Sequence, residues 1–195
     1  MKDVNPDILS YAAVVVALFT GICIYFSPEN NILLLLVVIL TFLRMTLNTI
    51  DGVIAINQGK TSLTGEIVNA LPDRYSDIFV MLAIAFSGYC RIYIGAAAAI
   101  CVLLVSYTGM LGKAIGVNWQ HDGPLGKVER LILIMIASFA QFVFTAKGNL
   151  YFTIFSFETS IFEVLMIYFI VSSQITVFNR LKGMLKEIKE KENAK

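Results

Sequence analysis

Arg44-Met45-Thr46-Leu47-Asn48-Thr49-Ile50-Asp51-Gly52-Val53-Ile54-Ala55 and, a short loop later, Gly65-Glu66-Ile67-Val68-Asn69-Ala70-Leu71-Pro72-Asp73-Arg74-Tyr75-Ser76-Asp77 place ionisable groups inside two otherwise apolar runs. Asn48 and Asp51 are three apart; Gly65, Asn69, Asp73 and Asp77 follow at intervals of four. On helices each set forms one face. An ionisable group at membrane depth costs several kcal/mol unless it is paired, so such a group is first a candidate for function.

The runs around these stretches set the fold class. About twenty apolar residues cross a bilayer. Six runs qualify: Ile8 to Phe26, Asn31 to Ile50, Ile67 to Tyr89, Ile92 to Met110, Val128 to Thr145 and Phe157 to Phe178. The chain is 57% hydrophobic and 15% charged with a mean hydropathy of +0.77, against about a quarter charged in a soluble domain. The expectation is an all-α integral membrane protein with six transmembrane helices. Residues 1–180 form the six-helix domain, and 181–195 form a charged amphipathic cytoplasmic tail. That tail either lies along the anionic inner leaflet or is a solvated helix. The first run is read as a permanent helix rather than a cleaved signal.

Sidedness follows from the basic residues of the short loops. With the N-terminus cytoplasmic, Lys2, Lys60, Lys113, Lys127, Arg130 and the tail lie inside, and Arg91 and Lys147 lie outside. Both termini are therefore expected in the cytoplasm, across an inner membrane. The second and third helices, joined by one cytoplasmic loop, are expected as antiparallel neighbours whose polar faces converge near the cytoplasmic surface. Oxygen donors without His or Cys suit Mg²⁺, Mn²⁺ or Ca²⁺. Gly52, Ala55 and Gly65 are small enough for a ligand's phosphates or sugar to approach the backbone. Arg74 is the expected ion partner of a structural Asp77. The alternative is that these groups are helix-end residues facing a watery rim.

Other signals are weaker. A net charge of +1 gives no reason to expect a nucleic-acid partner. Cys23, Cys90 and Cys101 lack metal-type spacing and read as small buried hydrophobes. His121, the only histidine, and Trp119, the only tryptophan, sit in the loop after Lys113 and read as loop-packing and interfacial residues. Gln141 and Ser172-Ser173-Gln174 read as helix-to-helix hydrogen-bonding groups.

The polar stretch resembles the signature of the CDP-alcohol phosphotransferases, D-x-x-D-G-x-x-A-R followed after a short loop by G-x-x-x-D-x-x-x-D. Here it is Asn48-x-x-Asp51-Gly52-x-x-Ala55-Ile56, eight loop residues, then Gly65-x-x-x-Asn69-x-x-x-Asp73. Every internal spacing matches; Asn48 and Asn69 replace two aspartates and Ile56 replaces the arginine. Asn5-Pro6 before the first helix and the basic residues opening the fifth also fit. The resemblance implies six transmembrane helices with a cytoplasmic site. It implies transfer of a phosphatidyl or other phosphoalcohol group from a CDP-linked donor, such as CDP-diacylglycerol, to an acceptor alcohol, with release of CMP, in phospholipid biosynthesis. It implies Asp73 as the base, and Asp51 with Asn48, Asn69 and Asp73 as ligands of Mg²⁺ or Mn²⁺; because two carboxylates remain of the usual four, weaker metal binding or a single ion is expected. Gly52, Ala55 and Gly65 would border the nucleotide. Lys113, Lys127 and Arg130 would hold a phosphate on the acceptor, or alternatively contact lipid headgroups. A homodimer rests on the resemblance alone. Rival readings are an inactive lipid- or nucleotide-binding homologue and a small transporter.

Overall fold

The computed structural model describes the backbone of residues 6–57, 63–118, 122–154 and 156–193, and the side chains of 8–54, 70–118, 122–154 and 156–193. Trp119, His121, Lys60 and Asn5 lie outside the described residues. Six helices form: α1 (Pro6–Phe26), α2 (Leu33–Asn57), α3 (Leu63–Phe86), α4 (Ile92–Ala114), α5 (Lys127–Ala146) and α6 (Ile161–Asn193). A small antiparallel hairpin, β1 (Phe152–Ile154) and β2 (Phe157–Thr159), precedes α6.

All but α3 are long and apolar enough to cross a membrane; α3 carries the polar stretch from Gly65 to Asp77. The exterior is as apolar as the interior. Ile39, Ile100, Ile136 and Val171, each well inside its helix, are more than half exposed. Contiguous exposed apolar surface on this scale needs lipid around it, so the chain is an integral membrane protein.

Packing joins the helices in a ring: α1 against α2, α2 against α5, α5 against α6, α6 against α4, α4 against α3, and α3 back against α1. Ile24, Leu34, Met81, Ile84, Val102, Phe162, Met166 and Phe169 fill the centre. At Gly95 a Cβ would stand 2.4 Å from that of Ala85, so only glycine lets α4 approach α3 this closely. The sequence allows α2 and α3 to be antiparallel neighbours whose polar faces converge. Among the described residues both flank α1, and they meet through Arg44 and Asp77 at 3.0 Å.

Two boundaries also differ. Phe157, Glu158 and Thr159 belong to β2, so the last helix opens at Ile161. The helix then runs unbroken through Arg180 and Leu181 to Asn193. Its 33 residues extend about 50 Å at about 1.5 Å each, well beyond a hydrocarbon core of about 30 Å. The tail is thus continuous in backbone with the last helix. It is held there: Arg180 Nη1 donates to the Val105 carbonyl at 2.6 Å, and Glu187 accepts from the Asn118 backbone N–H at 3.0 Å.

The end of the bundle carrying the hairpin is locked by its own polar groups. The backbone N–H and Nε of Arg91 donate to Glu163 at 2.8 and 3.0 Å. Ser160 Oγ donates to the Tyr89 carbonyl at 2.6 Å, and the Tyr151 hydroxyl to the Gly88 carbonyl at 2.7 Å. The cavity of about 450 Å³ there is lined by residues of this lock together with Cys90, Ser156, Phe157 and Glu158.

Candidate active site

The opposite end gathers the C-terminal part of α2 and the N-terminal parts of α1, α3 and α5. Arg44, Asn48 and Asp51 follow one another at i, i+4 and i+7 and share a face of α2. Asp73 and Asp77 are one turn apart on α3, just after Pro72, which lies within an unbroken helix. Lys127 and Arg130 occupy the first turn of α5. The turn before them is fixed by the buried Leu125, whose N–H donates to Thr176 Oγ1 of α6 at 3.1 Å.

These side chains meet in two rungs. Lys127 Nζ donates to Asp73 Oδ2 at 2.5 Å, and one turn deeper Arg130 donates to Asp77 Oδ2 at 2.8 Å. The second oxygen of Asp77 accepts from Arg44 at 3.0 Å. Arg74 stands 3.9 Å from both aspartates. Arg74 was the expected partner of Asp77, but the close contacts come from Arg44 and Arg130, which reach it from two other helices. One carboxylate thereby ties α2, α3 and α5 together. Arg44, Arg130 and Asp77 are almost fully buried, so the set stands only because it is paired.

Asp51 lies apart from that cluster but within electrostatic reach of Lys127 and Asp73. It is 3% exposed. Its Oδ2 accepts from Ser10 Oγ of α1 at 2.8 Å, while its Oδ1 is buried with no partner. The amide nitrogen of Asn48 and the Nε atoms of Arg44 and Arg130 are also buried without partners. A Cβ built on Gly52 would meet no described atom within 4 Å beyond its chain neighbours and its own helix backbone.

The structure thus pairs Lys127 with Asp73 and Arg130 with Asp77, and sets Asp51, with Asn48 and Gly52 on the same helix, within electrostatic reach of Lys127 and Asp73. The side chains of Ala55, Ile56, Gly65 and Asn69 fall outside those described. Lys113 is exposed at the C-terminal end of α4, which packs on α3 and α6. Arg130, expected to meet an acceptor's phosphate, is bound to Asp77. Among the described residues no three His, Cys, Asp or Glu side chains form a metal-sized cluster. The acidic donors here are Asp51 and Asp73, with Asn48 a neutral oxygen beside them.

Sequence reading missed two residues of the site. Arg44 was legible in principle, because it continues the Asn48–Asp51 face by one turn. Ser10 gave little signal: it is one hydroxyl in an apolar run, on the side of α1 that buries Ala13 and Ala17.

No family model matches the chain. It is 28% identical over 130 residues to the inner membrane protein YnbA of Escherichia coli K12, covering 67% of this chain and 64% of that protein. It is 32% identical over 92 residues to the archaetidylinositol phosphate synthase of Pyrococcus horikoshii, covering 47% and 49%. The matches therefore span less than two thirds of either relative. Among solved structures, the phosphatidylinositol phosphate synthase PgsA1 of Mycobacterium tuberculosis with CDP-DAG bound superimposes with a TM-score of 0.72 over 93% of this chain and 87% of that one, at 17% identity. The same enzyme in complex with manganese and citrate gives 0.72 over 93% and 83%, at 18% identity. At such identities these two establish the fold. In motif spacing, fold and partial sequence match the chain is similar to the archaetidylinositol and phosphatidylinositol phosphate synthases.

Proposed function

We propose that this protein transfers a phosphoalcohol group from a CDP-linked lipid donor, such as CDP-diacylglycerol, to an acceptor alcohol and releases CMP. What supports this reading is that Asp51 and Asp73, on two separate helices, lie within electrostatic reach of each other, with Lys127, Arg44 and Arg130 paired to the aspartates of α3. We place the site at the cytoplasmic end of six transmembrane helices in an inner membrane, with both termini cytoplasmic, because the loop lysines and arginines gather on that side.

In the reaction the acceptor oxygen bonds to the phosphorus that carries the lipid. The bridging P–O bond breaks, and CMP leaves with the bridging oxygen. We assign the hydroxyl proton to Asp73 as general base, with Lys127 fixing one of its oxygens. The donor set fits a hard divalent cation: its atoms are oxygens, and Asp51 keeps a buried oxygen unpartnered. Asp51, Asn48, Asn69 and Asp73 would hold Mg²⁺ or Mn²⁺, one ion rather than two, and the ion would offset charge on the pyrophosphate. Gly52, Ala55 and Gly65 border the nucleotide.

The charge around the two α3 aspartates favours an acceptor that itself carries phosphate. Arg44, Arg74, Lys127 and Arg130 face Asp73 and Asp77, and with Asp51 in reach of Lys127 one positive charge remains in excess. A buried excess of charge is costly, and an arriving anion relieves it. Lys127 and Arg130, with Lys113 farther out on the same side, are the groups we assign to that phosphate. A homodimer rests on the family resemblance.

CMP release from CDP-diacylglycerol, measured with Mn²⁺ or Mg²⁺ and paired acceptors with and without phosphate, tests this. Metal-dependent release that favours the phosphorylated acceptor is expected. Binding of the donor without release by any acceptor would instead support an inactive homologue, the reading that Asn48 and Asn69 favour.

A further inference from the structure

Hydroxyls in apolar helices usually bond back to their own helix, and this chain follows that habit. Thr20 donates to the Val16 carbonyl, Thr46 to Phe42, Ser138 to Ile134 and Ser172 to Tyr168. Ser10 departs from it. Its Oγ leaves α1, crosses to α2 and donates to Asp51 Oδ2 at 2.8 Å. Both residues are buried, at 6% and 3% exposure. The bond occupies one carboxylate oxygen and leaves the other, Oδ1, buried and without a hydrogen-bond partner among the described residues.

We infer that Ser10 is a positioning residue for Asp51: it fixes the rotation of the carboxylate so that Oδ1 alone is presented to a divalent cation. This rests on the assignment of Asp51 as a metal ligand in the proposed function. The need for such a residue follows from the chemistry of the site. Asn48 is neutral, so on α2 the charged donor is Asp51, and a freely rotating carboxylate would lose part of its affinity to reorientation. Polar partners that orient metal-binding carboxylates are typically worth about 10–100-fold in metal affinity. α1, which supplies no other polar contact to the site among the described residues, thereby joins it.

Mn²⁺ binding to the purified protein, followed by the electron paramagnetic resonance of free Mn²⁺, reads this without turnover. Ser10→Ala should raise the half-saturating Mn²⁺ concentration about 10–100-fold. Ser10→Thr, which keeps the hydroxyl, should stay near the parent, and Asp51→Asn should lose binding. If Asp51→Asn loses Mn²⁺ while Ser10→Ala binds as the parent does, the positioning role is overturned and the metal assignment stands. Equal weakening in Ser10→Ala and Ser10→Thr also overturns it, because the hydroxyl is then irrelevant. If Asp51→Asn binds Mn²⁺ as the parent does, the ligand assignment fails and this inference with it.

Discussion

Asp73→Asn and Asp77→Asn differ by one helical turn and should fail in opposite ways. Asp77 accepts from Arg44 at 3.0 Å and from Arg130 at 2.8 Å, and all three are almost fully buried. Asparagine keeps one acceptor oxygen but removes the charge, leaving two guanidinium groups facing each other without a counter-ion. Breaking a buried pair in this way typically costs about 3–5 kcal/mol. For a chain of 195 residues, 1 kcal/mol moves the melting midpoint by about 2–4 °C. Asp77→Asn should therefore melt about 6–20 °C below the parent in detergent. Asp73 pairs with Lys127, whose side chain is 31% exposed, and such a pair contributes roughly 1 kcal/mol or less. Asp73→Asn should keep the parental melting profile and lose about 10²–10⁴-fold in CMP release. Fluorescence-detected size exclusion after heating and a CMP-release assay on the same samples give both numbers. A midpoint for Asp77→Asn within about 3 °C of the parent, or near-parental turnover in Asp73→Asn, would refute the division of roles.

Other outcomes follow from single residues. Asn48→Asp restores a carboxylate beside Asp51 and should lower the Mg²⁺ or Mn²⁺ concentration that half-activates CMP release; an unchanged titration would remove position 48 from the ligand set. Gly52→Ala meets no described atom beyond its chain neighbours and own helix backbone and should stabilise α2 by roughly 0.5–1 kcal/mol. It should also raise the KM for CDP-donor about tenfold, as an overpacking cost of about 1–3 kcal/mol implies; parental donor kinetics would place the nucleotide elsewhere. Burial pushes the Cys90 thiol up to about 12, so at pH 8 it remains protonated, and the thiolate is the reactive form. Maleimide should leave Cys90 unlabelled until the protein unfolds and the thiol returns to its ordinary range. Cysteines placed at Lys60 and Lys147 should label from opposite sides of the membrane, and equal labelling from outside would overturn the topology.

The helices were legible because four of them are little more than apolar runs with polar ends. The hairpin was not, because three-residue strands such as Phe152-Thr153-Ile154 leave no room for a period to show. The sixth boundary slipped for the same reason: Phe157 and Thr159 look like the start of an apolar helix until their pairing partners are seen. The continuity of α6 was hidden by its composition, since the change from apolar to charged at Arg180 marks a change of surroundings and not of backbone. In the site, spacing alone exposed Asp51 and Asp73, because each shares a face with its neighbours in sequence. The partners of Asp77 lie 33 and 53 residues away. Arg74, three residues from Asp77, is the local partner and stands 3.9 Å from it, and tertiary packing adds two closer ones. Ser10 is 41 residues from Asp51, and no local pattern links them.

The ring order bears on how the protein is made. α1, α2 and α3 leave the ribosome first, and with them Asp77, Arg44 and Arg74. Arg130 follows Asp77 by 53 residues, which at about 5–20 residues per second is a delay of about 3–10 s. During that interval α2 and α3 face each other without the helix that later seats between α2 and α6, and lipid offers no water to stand in for the missing guanidinium. The nascent bundle must therefore wait with an incomplete polar interior, in contact with whatever insertion machinery shelters it. Substitutions in the first turn of α5 would then register as chains lost during biosynthesis, before any defect in the finished protein could be measured.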